Sequence, residues 1–169
     1  MISKQKRSGR DQKLKPTKAQ EHDIITNYML KAMGVCLIPV PIIDSIALTS
    51  VQVNMLRSLS EAHDIKFSKY KVKNLIATLV SKSLIISLSV PVASFMKIIP
   101  VVGQTVGSFG MSVSAGATTY ALGKVFANHF ASGGTLQDFN SEEKKEDYEN
   151  LVKKGKEVVS ELKKKTEPL

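Results

Sequence analysis

The sequence of 169 residues has no tryptophan, few other aromatic side chains and one cysteine. Because aromatic rings stack on bases and anchor proteins at the membrane–water interface, this scarcity disfavours both a nucleic-acid platform and an aromatic interfacial belt. The single cysteine, Cys36, excludes an intramolecular disulfide and fits a reducing compartment. The first 18 residues are polar and basic without an apolar centre, so we do not expect a secretory signal peptide.

Charge is almost absent from the middle of the chain. Lys97 is the one charged residue between Lys82 and Lys124: 14 uncharged residues precede it from Ser83, and 26 follow it up to Gly123. A helix needs roughly 20 apolar residues to cross a bilayer, so the second run is long enough and the first is marginal. We interpret this stretch as an apolar helical hairpin. The residues alone leave open whether lipid or protein surrounds it.

The formal net charge of +9 is concentrated near the N-terminus, where residues 1–18 hold seven basic side chains and one acid. Because this segment cannot bury enough apolar surface to order itself, we predict a flexible basic tail. The favoured interpretation is a solvated tail; binding to anionic lipid head groups comes second and binding to nucleic acid third. No nucleic-acid partner is therefore predicted. At a membrane, basic flanks stay on the cytoplasmic side, which predicts a cytoplasmic-membrane protein with its tails in the cytoplasm. A cytoplasmic protein is the alternative.

Apolar residues recur at helical spacing and no stretch alternates with period two, so we predict an all-α fold. Helices are expected at about 17–37, 42–62 and 68–96, with a fourth from the break at 98–103 to about 130. The last helix would begin at Asn140, with Glu143 as its capping-box partner, and Gly155 interrupts its apolar stripe. The predicted domain organisation is a tail at 1–18, an apolar helical domain at 19–137 and an amphipathic charged helix at 138–169.

Prolines mark the junctions between helices, because proline disfavours helix in the residue before it. The predicted proline turns are Pro39, Pro41, Pro91 and Pro100. Ile-Pro-Val at 38–40 recurs at 99–101, which indicates a weak internal repeat. The sequence therefore predicts a bundle of two helix–proline–helix hairpins plus a C-terminal amphipathic helix.

Residues that could carry chemistry are scattered. His22, His63 and His129 are far apart, and none has a second ligand at metal spacing. Cys36 lies in an apolar run, where a buried side chain is its more common role. No acid, base and nucleophile constellation can be assembled, and no phosphate-binding loop is complete. We therefore predict a protein without enzymatic activity, metal or cofactor.

Small residues in the fourth helix are spaced for close helix packing. The predicted packing positions are Gly103, Gly107, Gly110, Ser112 and Gly116. This spacing suits helices that associate within lipid and equally the centre of a soluble bundle, and it leaves a homo-oligomer open.

Four polar residues on the otherwise apolar second helix form the predicted partner surface. They are Asp44, Gln52, Asn54 and Arg57. The alternative is that they form hydrogen bonds within the bundle or face water.

Five strings of residues carry a family resemblance: 38–57 (IPVPIIDSIALTSVQVNMLR), 90–94 (VPVAS), 99–103 (IPVVG), 115–126 (AGATTYALGKVF) and 129–135 (HFASGGT). They resemble a bacterial domain of unknown function found in YcjF-like inner-membrane proteins and fused behind Era-like small GTPase domains. The proline-turn pattern is more loosely similar to EcsC-like proteins. The resemblance implies an all-helical, membrane-associated domain that works beside a small GTPase and has no defined catalytic residues. Since this chain lacks a GTPase domain, such a GTPase would act in trans.

The apolar stretch and the resemblance together favour a membrane-associated helical scaffold or regulator that contacts membrane lipid and works with a small GTPase. The alternative is a soluble helical protein-binding module whose basic tail docks on acidic partners. Pore formation by the hairpin is a third, less favoured hypothesis.

Overall fold

The computed structural model describes residues 15–36, 41–87 and 103–166, with side chains over 15–36, 46–81, 110–162 and 164. These ranges contain five helices and no strand: α1 (Lys18–Val35), α2 (Pro41–Ala62), α3 (Lys69–Ser87), α4 (Gly103–Ala131) and α5 (Lys145–Thr166). The predicted all-α fold is confirmed. Pro39, Pro91 and Pro100 lie outside the described residues, whereas Pro41 is the first residue of α2, where its fixed φ and missing N–H are tolerated.

Local capping signals set two of the helix ends, the beginning of α1 and the end of α4. The Thr17 hydroxyl accepts from the Gln20 amide at 3.2 Å, and the Gln20 side chain accepts from the Thr17 amide at 2.9 Å, which completes a capping box. After the last residue of α4, Gly133 has a φ of +90°, and its amide and that of Gly134 bond back to the last turn of α4. A glycine in the left-handed region is a common way for a helix to end.

The predicted start of α5 is wrong. Asn140 Oδ1 accepts from the Glu142 amide at 3.0 Å, and its Nδ2 donates to Glu143 Oε1 at 2.8 Å, so its side chain closes a local turn. The helix begins later, at Lys145. Glu143 is a contact of Asn140, as predicted, but as an acceptor for the side-chain amide and not for the backbone of a helix cap.

Helix α4 is the centre of the fold, and α1 runs antiparallel to it. Ile25 near the start of α1 contacts Gly123 late in α4, and Met33 near the end of α1 accepts a hydrogen bond from Ser112 early in α4. Between these points both helices bury their facing side chains. The order of contacts therefore sets the two helices head to tail.

Helix α2 runs parallel to α4, while α5 runs antiparallel. Gln52 bonds to Thr119, and Met55 three residues on lies at Gly123, so both helices advance in the same direction. Gly155 of α5 faces residues 117–120. Among the described residues α4 packs on α1, α2 and α5, and α3 packs on α2 and α5. Within the part of the chain that the structure describes, the second predicted hairpin, α3 with α4, is not seen as a packed pair.

The helix directions give the bundle two distinct ends. At one end α1, α3 and α5 begin and α2 and α4 finish; we call it the basic end after the lysines of α3, and the acidic first turn of α5 lies there too. A contact of 2.9 Å between His63 Nε2 and Glu21 Oε1 ties the beginning of α1 to the finish of α2 at this end. The N-terminal segment joins the bundle at the same end, since α1 begins at Lys18.

Candidate functional site

The small residues of α4 pack against protein. The Ser112 hydroxyl donates to the Met33 carbonyl oxygen at 3.0 Å, and a Cβ at Gly116 would lie 2.7 Å from Met33 Cγ and 3.0 Å from Val159 Cγ2. These two positions place α4 between α1 and α5 at a separation that larger residues would not allow. Gly123, which the spacing argument did not include, performs the same role against Ile25.

The other predicted packing positions differ. Gly110 is exposed, and a Cβ built on it would meet no atom within 4 Å, so it makes no close helix contact. Gly103 and Gly107 begin α4, and their contacts lie outside the described side chains. Among the described side chains of α4, close packing is first seen at Ser112.

Gly155 marks the closest approach between α4 and α5. A Cβ at this position would lie 2.8 Å from the Ala117 carbonyl oxygen and 2.9 Å from its Cα. Backbone atoms cannot rotate away as side-chain ends can, so only glycine fits here. Gly155, which interrupts the apolar stripe of α5 in the sequence, therefore allows α5 to approach α4 closely.

The four polar residues of α2 fall into three environments. Gln52 is buried and its Nε2 donates to Thr119 Oγ1 at 3.3 Å, so it is part of the α2–α4 contact and does not reach the surface. Asn54 and Arg57 are exposed. The Asp44 side chain lies outside the described set. Only Asn54 and Arg57 are therefore placed where a partner could reach them.

Arg57 is held near the finish of α2 by two contacts. Its Nε lies 3.0 Å from Glu61 Oε1, with both side chains 60% exposed, and its guanidinium stands 5.7 Å from the centre of the Phe67 ring. Ion pairs this exposed contribute little to stability. Arg57 is thus oriented at the basic end of the bundle without being needed for the fold.

Two of the three histidines have structural contacts, whereas His22 is exposed on α1. The His63 side chain is 3% exposed between Glu21 and the tilted ring of Phe130, whose centre is 5.7 Å away. His129 Nε2 lies 2.9 Å from the Thr135 carbonyl oxygen and holds the loop that follows α4. Across 15–36, 41–87 and 103–166 no group of three or more His, Cys, Asp or Glu side chains is arranged to hold a metal ion.

The loop after α4 is closed by Asp138. Its Oδ1 accepts from the Thr135 hydroxyl and, at 2.7 Å, from the Thr135 amide. These two bonds, from the hydroxyl first and the amide second, hold the pKa of the Asp138 carboxyl below its usual value. The charged carboxylate therefore stabilises the turn between α4 and α5 by these two hydrogen bonds.

Exposed lysines cluster at the beginning of α3. Lys66, Lys69, Lys71 and Lys73 are all exposed, and Tyr70 among them is 76% exposed. We call these five residues the α3 basic surface. The third helix was expected from about residue 68, and in the structure α3 begins at Lys69.

Comparison with known proteins gives the family. A family model described as a domain of unknown function (DUF697) matches residues 3–157. The chain belongs to this family. It is also 32% identical over 146 residues to magnetosome membrane protein 22 of Magnetospirillum gryphiswaldense, a match that covers 86% of this chain and 75% of that protein. No solved structure matches this DUF697 chain.

The match confirms the resemblance at the level of a domain of unknown function. The YcjF-like membrane setting and the fusion to Era-like GTPases are not part of what these matches show, and they stay predictions for this DUF697 domain. Within the described ranges, no helix combines the length and the apolar character needed to cross a bilayer.

Proposed function

We propose that this chain is a non-enzymatic helical module that associates with a membrane and serves there as a scaffold or regulator. The observation that carries the proposal is the similarity to magnetosome membrane protein 22, which extends over three quarters of that protein. A shared domain of this extent supports a shared setting. The +6 charge of residues 1–18 adds an attraction to anionic lipid.

The packing of α4 supports attachment through surfaces outside its core segment. Between Ala115 and Ala127 nearly every α4 side chain is buried against α1, α2 and α5. A side chain enclosed in this way cannot also contact lipid tails while the bundle is intact. We therefore place membrane contact at the exposed faces of the bundle and at the segments that leave it.

Cell fractionation tests the proposal. We expect the protein in the membrane fraction, with release by carbonate if the contact is through exposed faces. Retention after the carbonate wash would favour embedded segments and overturn the peripheral form. Recovery in the supernatant before any wash would overturn membrane association itself.

A second candidate is a soluble helical module that binds an acidic protein. The buried α4 favours it, because the bundle already encloses its most apolar described segment. This candidate would be favoured over the first if the protein is monodisperse without detergent and does not bind vesicles.

We further propose a small GTPase acting in trans as the protein partner, on the strength of the resemblance described above. Pull-downs in mild detergent, run with GDP and with a non-hydrolysable GTP analogue, should enrich one in a nucleotide-dependent way. The double change Asn54→Ala with Arg57→Ala should weaken that recovery, while Asn27→Ala on the exposed face of α1 serves as the control. Equal recovery from all three proteins would remove α2 as the partner surface.

A further inference from the structure

The α3 basic surface presents cations without neighbouring acids on its own helix. Helix α3 contains no aspartate or glutamate, and after Asp64 the next carboxylate along the chain is Asp138. The nearest acidic side chains in sequence, Glu61 and Asp64, precede the surface, and Glu61 is paired with Arg57. The lysines of α3 are therefore not neutralised within the helix that carries them.

Helix stability does not explain this arrangement. Cations near the N-terminus of a helix face the positive end of its dipole, which is the less favourable placement. The first turn of α3 contains Lys69 and Lys71 and no acid. The lysines occupy positions where a bound anion would relieve repulsion.

The opposite face of α3 fixes the surface outward. Val72, Ile76 and Leu79 are buried in the main core, so the helix cannot rotate to hide its lysines. Tyr70 projects with 76% of its surface exposed, which is unusual for a large ring that could pack. An amphipathic ring beside lysines suits the boundary between head groups and water, where tyrosine is enriched.

The charge of the N-terminal segment reinforces the same end. Residues 1–18 have a net charge of +6 and join the bundle where α1 begins, at the basic end. This end also holds the acidic first turn of α5, with Glu146 and Asp147, so the α3 lysines and not the whole end are the cationic feature. A lipid surface suits a spread of lysines, because its phosphates form a continuous layer.

We propose that the α3 basic surface docks on anionic phospholipid head groups, with the lysine ammonium groups donating to phosphate oxygens and Tyr70 entering the head-group layer. This inference rests on the proposed membrane association and names the face that makes it. An acidic protein segment is the competing ligand, and the experiment below separates the two.

Vesicle co-sedimentation tests the surface with the full chain. The probes are phosphatidylcholine vesicles with and without phosphatidylglycerol. Since each basic residue near an anionic surface adds about 1 kcal/mol, the triple change Lys69→Gln, Lys71→Gln and Lys73→Gln should lower partitioning onto the anionic vesicles by roughly 100-fold. The matched control makes the same charge change at Lys153, Lys154 and Lys156, which are exposed on α5. Equal losses in both variants would reduce the effect to net charge and overturn the proposal.

A fluorescent reporter locates the contact independently of affinity. The chain has no tryptophan, so Tyr70→Trp creates a unique emitter at an exposed position. We expect its emission to shift to the blue on anionic vesicles and to stay unchanged with polyglutamate. Asn27→Trp on α1 is the control and should not shift. A shift with polyglutamate and none with vesicles would assign the surface to an acidic protein instead.

The outcomes distinguish this inference from the proposed function. If wild-type protein binds vesicles and the α3 variant binds equally well, membrane association stands and the α3 surface is excluded. If wild-type protein binds neither vesicle type and is absent from cell membranes, both fail together.

Discussion

Gly155 of α5 stands against the backbone of Ala117 in α4, with space for a hydrogen atom but not for a methyl group. An added Cβ would lie 2.8 Å from the carbonyl oxygen, well inside ordinary van der Waals contact. The docking of α5 includes this close approach, and the buried Val159 lies one turn further along the helix.

The change Gly155→Ala should therefore destabilise the protein, although alanine is the better helix former. Overpacking against a backbone costs about 1–3 kcal/mol, and we expect a loss of about 2 kcal/mol in the free energy of unfolding by urea denaturation. The matched control is Gly110→Ala, at an exposed helical position with no atom within 4 Å, which should gain up to about 1 kcal/mol. A gain in both variants would contradict the close approach.

Gln52 and Asn54 lie two residues apart on α2 and should respond differently to alanine. Gln52→Ala leaves the fully buried Thr119 hydroxyl without its donor, at a cost of about 1–3 kcal/mol. Asn54→Ala alters an exposed side chain and should stay within about 0.5 kcal/mol. Thermal denaturation of the two variants side by side checks the difference, and equal effects would place Gln52 at the surface after all.

Removing the hydroxyl of Tyr148 should stabilise the protein. The side chain is 1% exposed, and its hydroxyl has no hydrogen-bond partner among the described residues. A buried unsatisfied polar group costs about 1–3 kcal/mol, so Tyr148→Phe should raise the free energy of unfolding by about 1 kcal/mol. No change in denaturant midpoint would show that water or another group satisfies the hydroxyl.

The same substitution should change the response to alkaline pH. Burial raises the pKa of Tyr148 above its usual value of 10.0, so the unfolded chain releases this proton more readily than the folded one. Stability is therefore intact below that value and falls as the pH rises beyond it. The Tyr148→Phe variant lacks this contribution, and its alkaline unfolding should begin at higher pH when followed by circular dichroism.

The lowered pKa of Asp138 should make the stability of the protein depend on pH in acid. Its folded pKa lies below the unfolded value of 3.8, mainly because of the bonds from Thr135, so its contribution is present above that pH and is lost as the pH falls through the folded pKa. Asp138→Asn should lower the melting temperature at neutral pH and flatten its fall in acid. Glu157→Gln, an exposed charge change on α5, is the control and should retain the wild-type slope.

Much of the fold could be predicted because its signals are local. Helices were expected to begin at about residue 17 and to end at about 130, and α1 begins at Lys18 while α4 ends at Ala131. The start of α5 was misplaced because Asn140 uses its side chain in a turn, and residue type alone does not separate a turn from a helix cap. Local sequence signals therefore predicted which helices form better than they predicted where the helices begin.

The pairing between helices could not be predicted, because it depends on residues far apart in the sequence. The need for glycine at 155 arises from the backbone of Ala117, and the polar Gln52 is buried because it bonds to Thr119. The spacing of small residues included Ser112 and Gly116, which lie at close helix contacts, and also Gly110, which faces outward. Spacing identifies a face of a helix, whereas burial requires knowledge of what lies opposite.

The antiparallel docking of α5 on α4 also has a consequence for biosynthesis. The groove at Gly116 and Ala117 is closed by Gly155 and Val159, which are translated well after α4 itself. Until then a nascent chain exposes the apolar centre of its longest helix, a state that invites self-association or capture by chaperones. Ribosome-bound chains stopped within α5 should therefore remain sensitive to proteases that no longer cleave the complete bundle.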